Sequence, residues 1–288
     1  MKKKLTLGSV IFTVLLLLAY FVFFPQAEPA HTVSLDTIPA YTGEPFVILN
    51  DNVPLFTQEE FVSDSYEFYD ELDALNRCTQ AIACIGMDLM PTEERGSIGQ
   101  VKPSGWQTVK YDFVDGKYLY NRCHLIGFQL TGENANERNL ITGTRYMNVD
   151  GMLPFENMVA DYIKETDNHV LYRVIPVYEG ENAVASGVTM EAYSVEDSGE
   201  GICFYVYVYN VQPGVVINYA DGTSYPEEIE AGVGEEAHIY VANTASGKFH
   251  LDSCGQADAI KEENKATFTV PRSQMIAWNY APAGCCKP

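Results

Sequence analysis

The chain has 288 residues, 47% of them hydrophobic, with 18 Lys and Arg against 39 Asp and Glu for a net charge of -21. That length buries at least one substantial core, and neither low complexity nor an internal repeat interrupts it, which excludes a repeat array or a disordered chain. The acidity argues against tight, non-catalytic binding of nucleic acid, whose phosphates reward clustered cations, but a catalytic cleft needs only a local positive patch and a divalent ion supplies its own charge.

Met1, Lys2, Lys3 and Lys4 precede an uncharged, almost wholly apolar run over residues 5–24, the pattern of an export signal. The run is long enough to cross a bilayer, and small residues follow it where a peptidase would cut. Residues 1–27 therefore read as a signal peptide or a signal anchor. Either way the rest of the chain lies outside the cell, secreted or held at the membrane. Residues 28–43, polar and broken by Pro and Gly, read as a spacer.

Residues 45–50 are predicted as a first strand, with turn residues Asn50, Asp51 and Asn52 at its end. Residues 61–90 read as irregular, with a short helix or strand over 81–85, and residues 91–102 as a loop. Residues 107–111 and 117–123 are predicted to pair as a hairpin around Asp115 and Gly116. Residues 127–139 follow as a loop. A helix is predicted over 154–164, where Phe155, Met158, Val159, Tyr162 and Ile163 recur at steps of three and four, and this places Asn148 at or just before its start. Strands are then expected over 170–178, 184–195, 202–209 and 215–219, joined as antiparallel pairs. An acidic linker over 221–237 separates the domain at 44–220 from a small piece at 238–288.

Seven cysteines occur, and export permits disulfides, but an odd number leaves at least one sulfur unpaired. Cys78 with Cys84 is a plausible pair.

Three segments carry the candidate chemistry. The first is Tyr120-Asn121-Arg122-Cys123-His124. The second is Arg138-Asn139 leading through Thr142, Gly143, Thr144 and Arg145 to Asn148, and the third holds Glu156. Cleavage of a phosphodiester needs an activated water and a positive centre for the charge that builds on phosphorus and the leaving oxygen. An imidazole suits the first task near neutral pH. A neutral amide oxygen leaves a hard cation able to take phosphate oxygens and water. Arg122, Arg138 and Arg145 are candidate phosphate contacts. Taken singly these signals are ordinary: a histidine at a strand end, a helix-capping asparagine and a first-turn glutamate all have structural explanations.

In order and spacing, residues 45–219 resemble the DNA/RNA non-specific endonucleases with a ββα-metal site, of the secreted streptococcal type. The resemblance implies an α+β fold with a central antiparallel sheet and flanking helices. It implies one Mg2+, with Mn2+ as a substitute, and cleavage of DNA, with RNA left open, to 5'-phosphate ends. It gives His124 as general base, Asn148 as metal ligand, Glu156 as the acid that orients metal-bound water, and Asn139 as a polar residue of the cleft. The family's Asp-Arg-Gly-His motif stands here as Asn121, Arg122, Cys123 and His124. The cysteine adds bulk near the cleft and an oxidisable sulfur. These departures motivate a second reading, a nucleic-acid-binding surface protein of the same fold with weakened chemistry. A phosphodiesterase acting on small molecules is a third.

At the C-terminus stand His250, Cys254, Cys285 and Cys286. They permit a structural Zn2+ site, a disulfide among the three cysteines, or plain structural thiols. Adjacent cysteines make poor geometry for two ligands of one ion. The piece resembles small zinc-ribbon-like appendages, with Ala283 where such modules place their first C-terminal cysteine.

Overall fold

A six-stranded antiparallel sheet organises the protein, in the order β1-β8-β7-β6-β3-β2. Its strands are β1 (Phe46–Ile48), β2 (Tyr66–Tyr69), β3 (Ala81–Ile85), β6 (Val170–Val177), β7 (Gly187–Ser194) and β8 (Cys203–Tyr209). This computed structural model describes residues 33–62, 64–227 and 236–288. The chain divides at Ser34, and Leu35–Pro288 forms one unit. The expected signal or anchor over residues 1–27 lies outside the described residues. Among the described residues no helix is long and apolar enough to cross a membrane.

Alternation along the strands decides which side chains face which layer. Val170, Tyr172 and Val174 of β6, with Phe204, Val206 and Val208 of β8, point into the main core. There they meet Phe155, Val159, Ala160 and Ile163 from one face of the helix Leu153–Thr166. On the opposite sheet face, Tyr207 and Tyr209 pack under Leu35, Ile38 and Tyr41, and Ile82, Cys84 and Leu171 pack under Phe56 and Phe61. That second face also buries Arg173, which pairs with Glu191 at 2.6 Å and with Glu60, while Phe56 lies against its guanidinium. Leu55 N–H donates to the other oxygen of Glu191, so the 54–61 segment is pinned to the sheet by one buried charge network.

A separate ribbon, β4 (Tyr120–His124) with β5 (Leu140–Thr144), pairs His124 opposite Leu140 and Arg122 opposite Thr142. Together with the helix Leu153–Thr166 it forms a ββα unit. Asn210, fully buried at the end of β8, joins ribbon to sheet. Its Oδ1 accepts from Thr144 N–H at 2.8 Å, and its Nδ2 donates to the carbonyls of Thr142 and Ala185 at 3.0 and 2.9 Å.

The strands expected at the start and over 170–219 are present, as is the helix, which runs three residues longer in all than expected. The hairpin differs. Residues 107–111 form no strand; they meet the returning chain through a Lys110–Tyr118 bridge and a Leu119 N–H to Val109 carbonyl bond. The turn is a loop over 111–117, with Gly116 and Lys117 both in the left-handed region, and β4 pairs with the distant β5. Cys78 and Cys84 are both free thiols. Cys78, which precedes β3, lies in the main core and donates to the carbonyls of Glu137 and Leu140, whereas Cys84 on β3 packs in the cluster on the opposite sheet face and donates to Val62, so the sheet separates the two sulfurs.

After a short ribbon of β9 (Val215–Ile217) with β10 (Ser224–Pro226), the C-terminal piece is a four-stranded sheet of β11 (His238–Asn243), β12 (Lys248–Leu251), β13 (Lys265–Val270) and β14 (Ala281–Pro282), in the order β13-β11-β12-β14, with the short helix Arg272–Ala277. Its own core is small: Tyr240, Ala242, Phe249, Met275 and Tyr280.

Candidate active site

One cleft of about 700 Å³ opens beside the ββα unit, and its lining includes His124, Asn148, Glu156, Arg95, Arg122 and Arg145. In a chain of net charge -21, three arginines gathered around one cleft form a local positive patch.

His124 ends β4 and is 6% exposed. Its Nε2 lies 2.8 Å from the Asn134 carbonyl, which accepts only, so Nε2 carries the proton. Nδ1 is then left with a lone pair, and Arg95 Nη2 lies 3.2 Å from it. Burial lowers the imidazole pKa to about 4, the Asn134 bond pulls the other way, and the Arg95 charge lowers it further. The ring is neutral at physiological pH.

Asn148 sits in a π-helical stretch, Met147–Met152, that runs directly into the helix Leu153–Thr166. Such wide turns inside helices recur at functional sites because they re-aim side chains. Its Oδ1 accepts from the Cys123 thiol at 3.0 Å. Glu156, in the first turn of the following helix, lines the same cleft, and burial raises its carboxyl pKa to about 7. Gly127 passes so close that a Cβ there would lie 2.7 Å from Glu156 Oε2.

The remaining expected residues divide. Arg122 lines the cleft with two of its donors turned to the loop, Nε to the Val101 carbonyl and Nη2 to the Gly99 carbonyl at 2.8 Å, and its Cζ lies 4.0 Å from the Trp106 ring centroid. It fastens the 95–106 loop. Arg145 lines the cleft while paired to Asp115 at 2.8 Å. Arg138 is not among the lining residues and pairs with Glu71 at 2.7 Å, away from the expected phosphate contact. Asn139 is also absent from the lining. It is fully buried, and its amide clasps the Ile126 backbone, accepting at 2.9 Å and donating at 3.0 Å. That clasp fixes the turn after His124, so Asn139 bears on the placement of His124 without lining the cleft. Cys123 does not crowd the cleft: it is 1% exposed and turned inward, where Gly143 on β5 leaves it room. Burial pushes its thiol well above the usual range.

Sequence reasoning missed Arg95. It stands in a loop without periodicity, and its place beside His124 depends on contacts made by Arg122 some 27 positions later.

Comparisons with known proteins bear on this arrangement. Residues 57–196 match the family model described as DNA/RNA non-specific endonuclease. NucA from Streptococcus agalactiae with magnesium ion bound superposes with a TM-score of 0.56 at 22% identity, covering 62% of this chain and 86% of NucA. The same protein with no metal bound gives 0.58 at 22%, covering 67% and 92%. The fold is DNA/RNA non-specific endonuclease-like, a central antiparallel sheet with a ββα unit. Sda1 nuclease with bound zinc ion shares this endonuclease fold, with a TM-score of 0.56 at 24% identity over 64% of this chain and 97% of Sda1. A deoxyribonuclease of Streptococcus dysgalactiae subsp. equisimilis is 36% identical over 110 residues, which is 36% of this chain. The match spans about a third of that relative's length, 32%. The endonuclease-like core over 57–196 contains the ribbon, the π-helical turn and the long helix, and so all of the site around His124.

A second cluster lies in the C-terminal piece. The ligand atoms of His250, Cys254, Cys285 and Cys286 all fall within 4.8 Å of one another. The bond to His250 pulls the Cys254 thiol down to about 6.

Proposed function

We propose that the protein is an exported, metal-dependent endonuclease that hydrolyses phosphodiester bonds of DNA, and of RNA where it enters the same cleft. The observation that carries this reading is the tautomer of His124. Its Nε2 proton is committed to the Asn134 carbonyl, so Nδ1 carries the lone pair, which accepts from Arg95 Nη2 at 3.2 Å, on a ring that stays neutral at working pH. That is the state a general base needs.

The donor set fits a hard divalent cation. Asn148 offers a neutral amide oxygen, and Glu156 offers a carboxylate whose raised pKa reflects burial that a positive charge would relieve. Mg2+ bound there supplies Lewis-acid stabilisation of the charge that develops on the phosphate, and Mn2+ has the same preference for oxygen ligands. Once Arg95 turns its donors from Nδ1 to the phosphate, His124 Nδ1 is released to take a proton from the attacking water. Asn148 holds the cation through Oδ1, and Glu156 accepts hydrogen bonds from water in the cleft. Arg95, exposed beside His124, grips the phosphate from the solvent side with paired donors. Arg122 keeps the Arg95 loop in place. Because cleft arginines contact a backbone common to all sequences, little sequence preference is expected.

Export rests on the N-terminal lysines and apolar run and is part of this proposal, with the signal cleaved or retained as an anchor. The test is plasmid cleavage by the purified protein with Mg2+. Activity abolished by EDTA and reduced at least about 1,000-fold in His124→Ala and in Asn148→Ala supports catalysis. An intact plasmid across Mg2+, Mn2+ and pH would leave the binding-protein reading standing. Faster turnover of a small nitrophenyl diester than of DNA would favour the small-molecule phosphodiesterase.

A further inference from the structure

The C-terminal piece spans about 50 residues, and its core is two small clusters, Tyr240, Ala242, Phe249, Met275 and Tyr280 in one and Val241, Ala257 and Ile260 in the other, a size at which domains commonly carry a staple. Its four sulfur and nitrogen ligands are brought together from both ends of the piece. His250 lies on β12 and Cys254 in the turn that follows, closed by Cys254 N–H to the Leu251 carbonyl at 3.0 Å. Cys285 and Cys286 follow β14, which runs parallel to β12 with Phe249 opposite Pro282.

The spacings among these atoms discriminate between the candidate roles. Cys254 Sγ lies 3.6 Å from His250 Nδ1 and 3.5 Å from Cys285 Sγ. His250 Nδ1 lies 3.3 Å from Cys285 Sγ and 4.0 Å from Cys286 Sγ. Zn2+ bonds of about 2.3 Å to sulfur and about 2.0 Å to nitrogen, arranged tetrahedrally, require ligand edges of roughly 3.5–3.8 Å. A disulfide requires sulfurs about 2.05 Å apart, and no pair here is near that. Leu251 N–H donates to Cys286 Sγ at 3.4 Å, and such backbone donors stabilise a coordinating thiolate. The turn geometry also lets both adjacent cysteines reach the same point, against the expectation that neighbouring cysteines serve one ion poorly.

We propose that His250, Cys254, Cys285 and Cys286 hold one structural Zn2+, and that this ion steadies Arg145 of the cleft by keeping the C-terminal piece docked on the 111–117 loop, whose Asp115 pairs with that arginine. Three thiolates and a neutral imidazole close the coordination sphere and leave no open position, so the ion serves folding rather than chemistry. The docking is direct. Trp278 stacks on Phe113 with centroids 4.7 Å apart and planes 3° from parallel, and Tyr280 OH donates to the Phe113 carbonyl at 3.0 Å. Two residues on, Asp115 holds Arg145 of the cleft. The zinc assignment stands independently of the proposed nuclease activity; only the cleft consequence rests on it.

The experiment is metal analysis of the full chain, followed by Co2+ exchange. About one Zn2+ per chain is expected, and the Co2+ form should show thiolate-to-metal charge transfer with the intense visible bands of tetrahedral Co2+. Cys254→Ser and His250→Ala should lower zinc content at least about tenfold. Because such variants risk unfolding the piece, hydrogen exchange on the unmutated chain supplies the second readout: zinc removal should raise exchange at Val114 and Lys117, whose amides close the 111–117 loop. Trp278→Ala should retain zinc and show the same loosening. A chain isolated without zinc, or with Cys254 and Cys285 joined in a disulfide, would overturn the metal site. Zinc present with unchanged exchange on its removal would overturn the bracing, and neither result depends on whether DNA is cut.

Discussion

The thiol of Cys123 donates to Oδ1 of Asn148 at 3.0 Å, so the side chain that replaces the motif glycine reaches beneath the proposed metal ligand and occupies one lone pair of its amide oxygen. The other lone pair remains for a cation, and the bond fixes which end of the amide faces the cleft. Cys123→Ala should therefore raise the Mg2+ concentration for half-maximal activity by about 10-fold, the size typical for losing a hydrogen bond to a ligand, while Cys123→Ser restores it. Metal titrations of initial rate would check this. Equal Mg2+ dependence in all three proteins would show that the thiol only fills space.

His124 should not titrate in the usual histidine range. With its pKa lowered from 6.5 to about 4 by burial, the folded protein keeps the ring neutral while the unfolded chain takes up a proton below 6.5. The stability linked to this group is thus fully present above pH 6.5 and is lost as pH falls towards 4, by at most about 3 kcal/mol. Imidazole NMR shifts against pH would locate the pKa. Urea unfolding from pH 4 to 6.5 should show a shallower pH slope in His124→Gln than in the parent.

Gly127 is required by proximity, since a methyl group there would stand 2.7 Å from Glu156 Oε2. Gly127→Ala should displace the carboxylate from its place in the cleft and cut kcat by roughly 10- to 100-fold, with a melting temperature close to the parent's. Steady-state kinetics alongside calorimetry would separate a misplaced carboxylate from a destabilised fold.

Arg173→Met should be costly although it lies far from the chemistry. Its removal strands the Glu191 carboxylate, 3% exposed, together with Glu60. A loss of about 3–5 kcal/mol is expected from an uncompensated buried charge. The double change Glu191→Gln with Arg173→Met should recover part of it, as chemical denaturation would report.

The sheet was the most legible part of the sequence, because β6, β7 and β8 are dense in β-branched and aromatic residues between clear turn signals, as strands buried on both faces require. His124, Asn148 and Glu156 were legible through their order and spacing. What could not be read was non-local. The pairing of β4 with β5 rather than with residues 107–111 depends on the Asn210 joint, and Arg138 and Asn139 are diverted by partners, Glu71 and Ile126, that no spacing announces. Arg95 is placed by the Arg122 contacts to Gly99 and Val101, so its role appears only once the loop is folded.

Asn210 concentrates much of the joint between ribbon and sheet in one amide, beside the Thr144 hydroxyl bond to the Val211 carbonyl at 2.6 Å. Ribbon and sheet share a core, and this side chain binds two backbone groups of the ribbon and one of Ala185, while β4 ends in His124. Any lineage that keeps His124 while varying the sheet must keep this hinge pin or rebuild it, so the pressure on a residue with no reach to the substrate should rival that on the histidine itself.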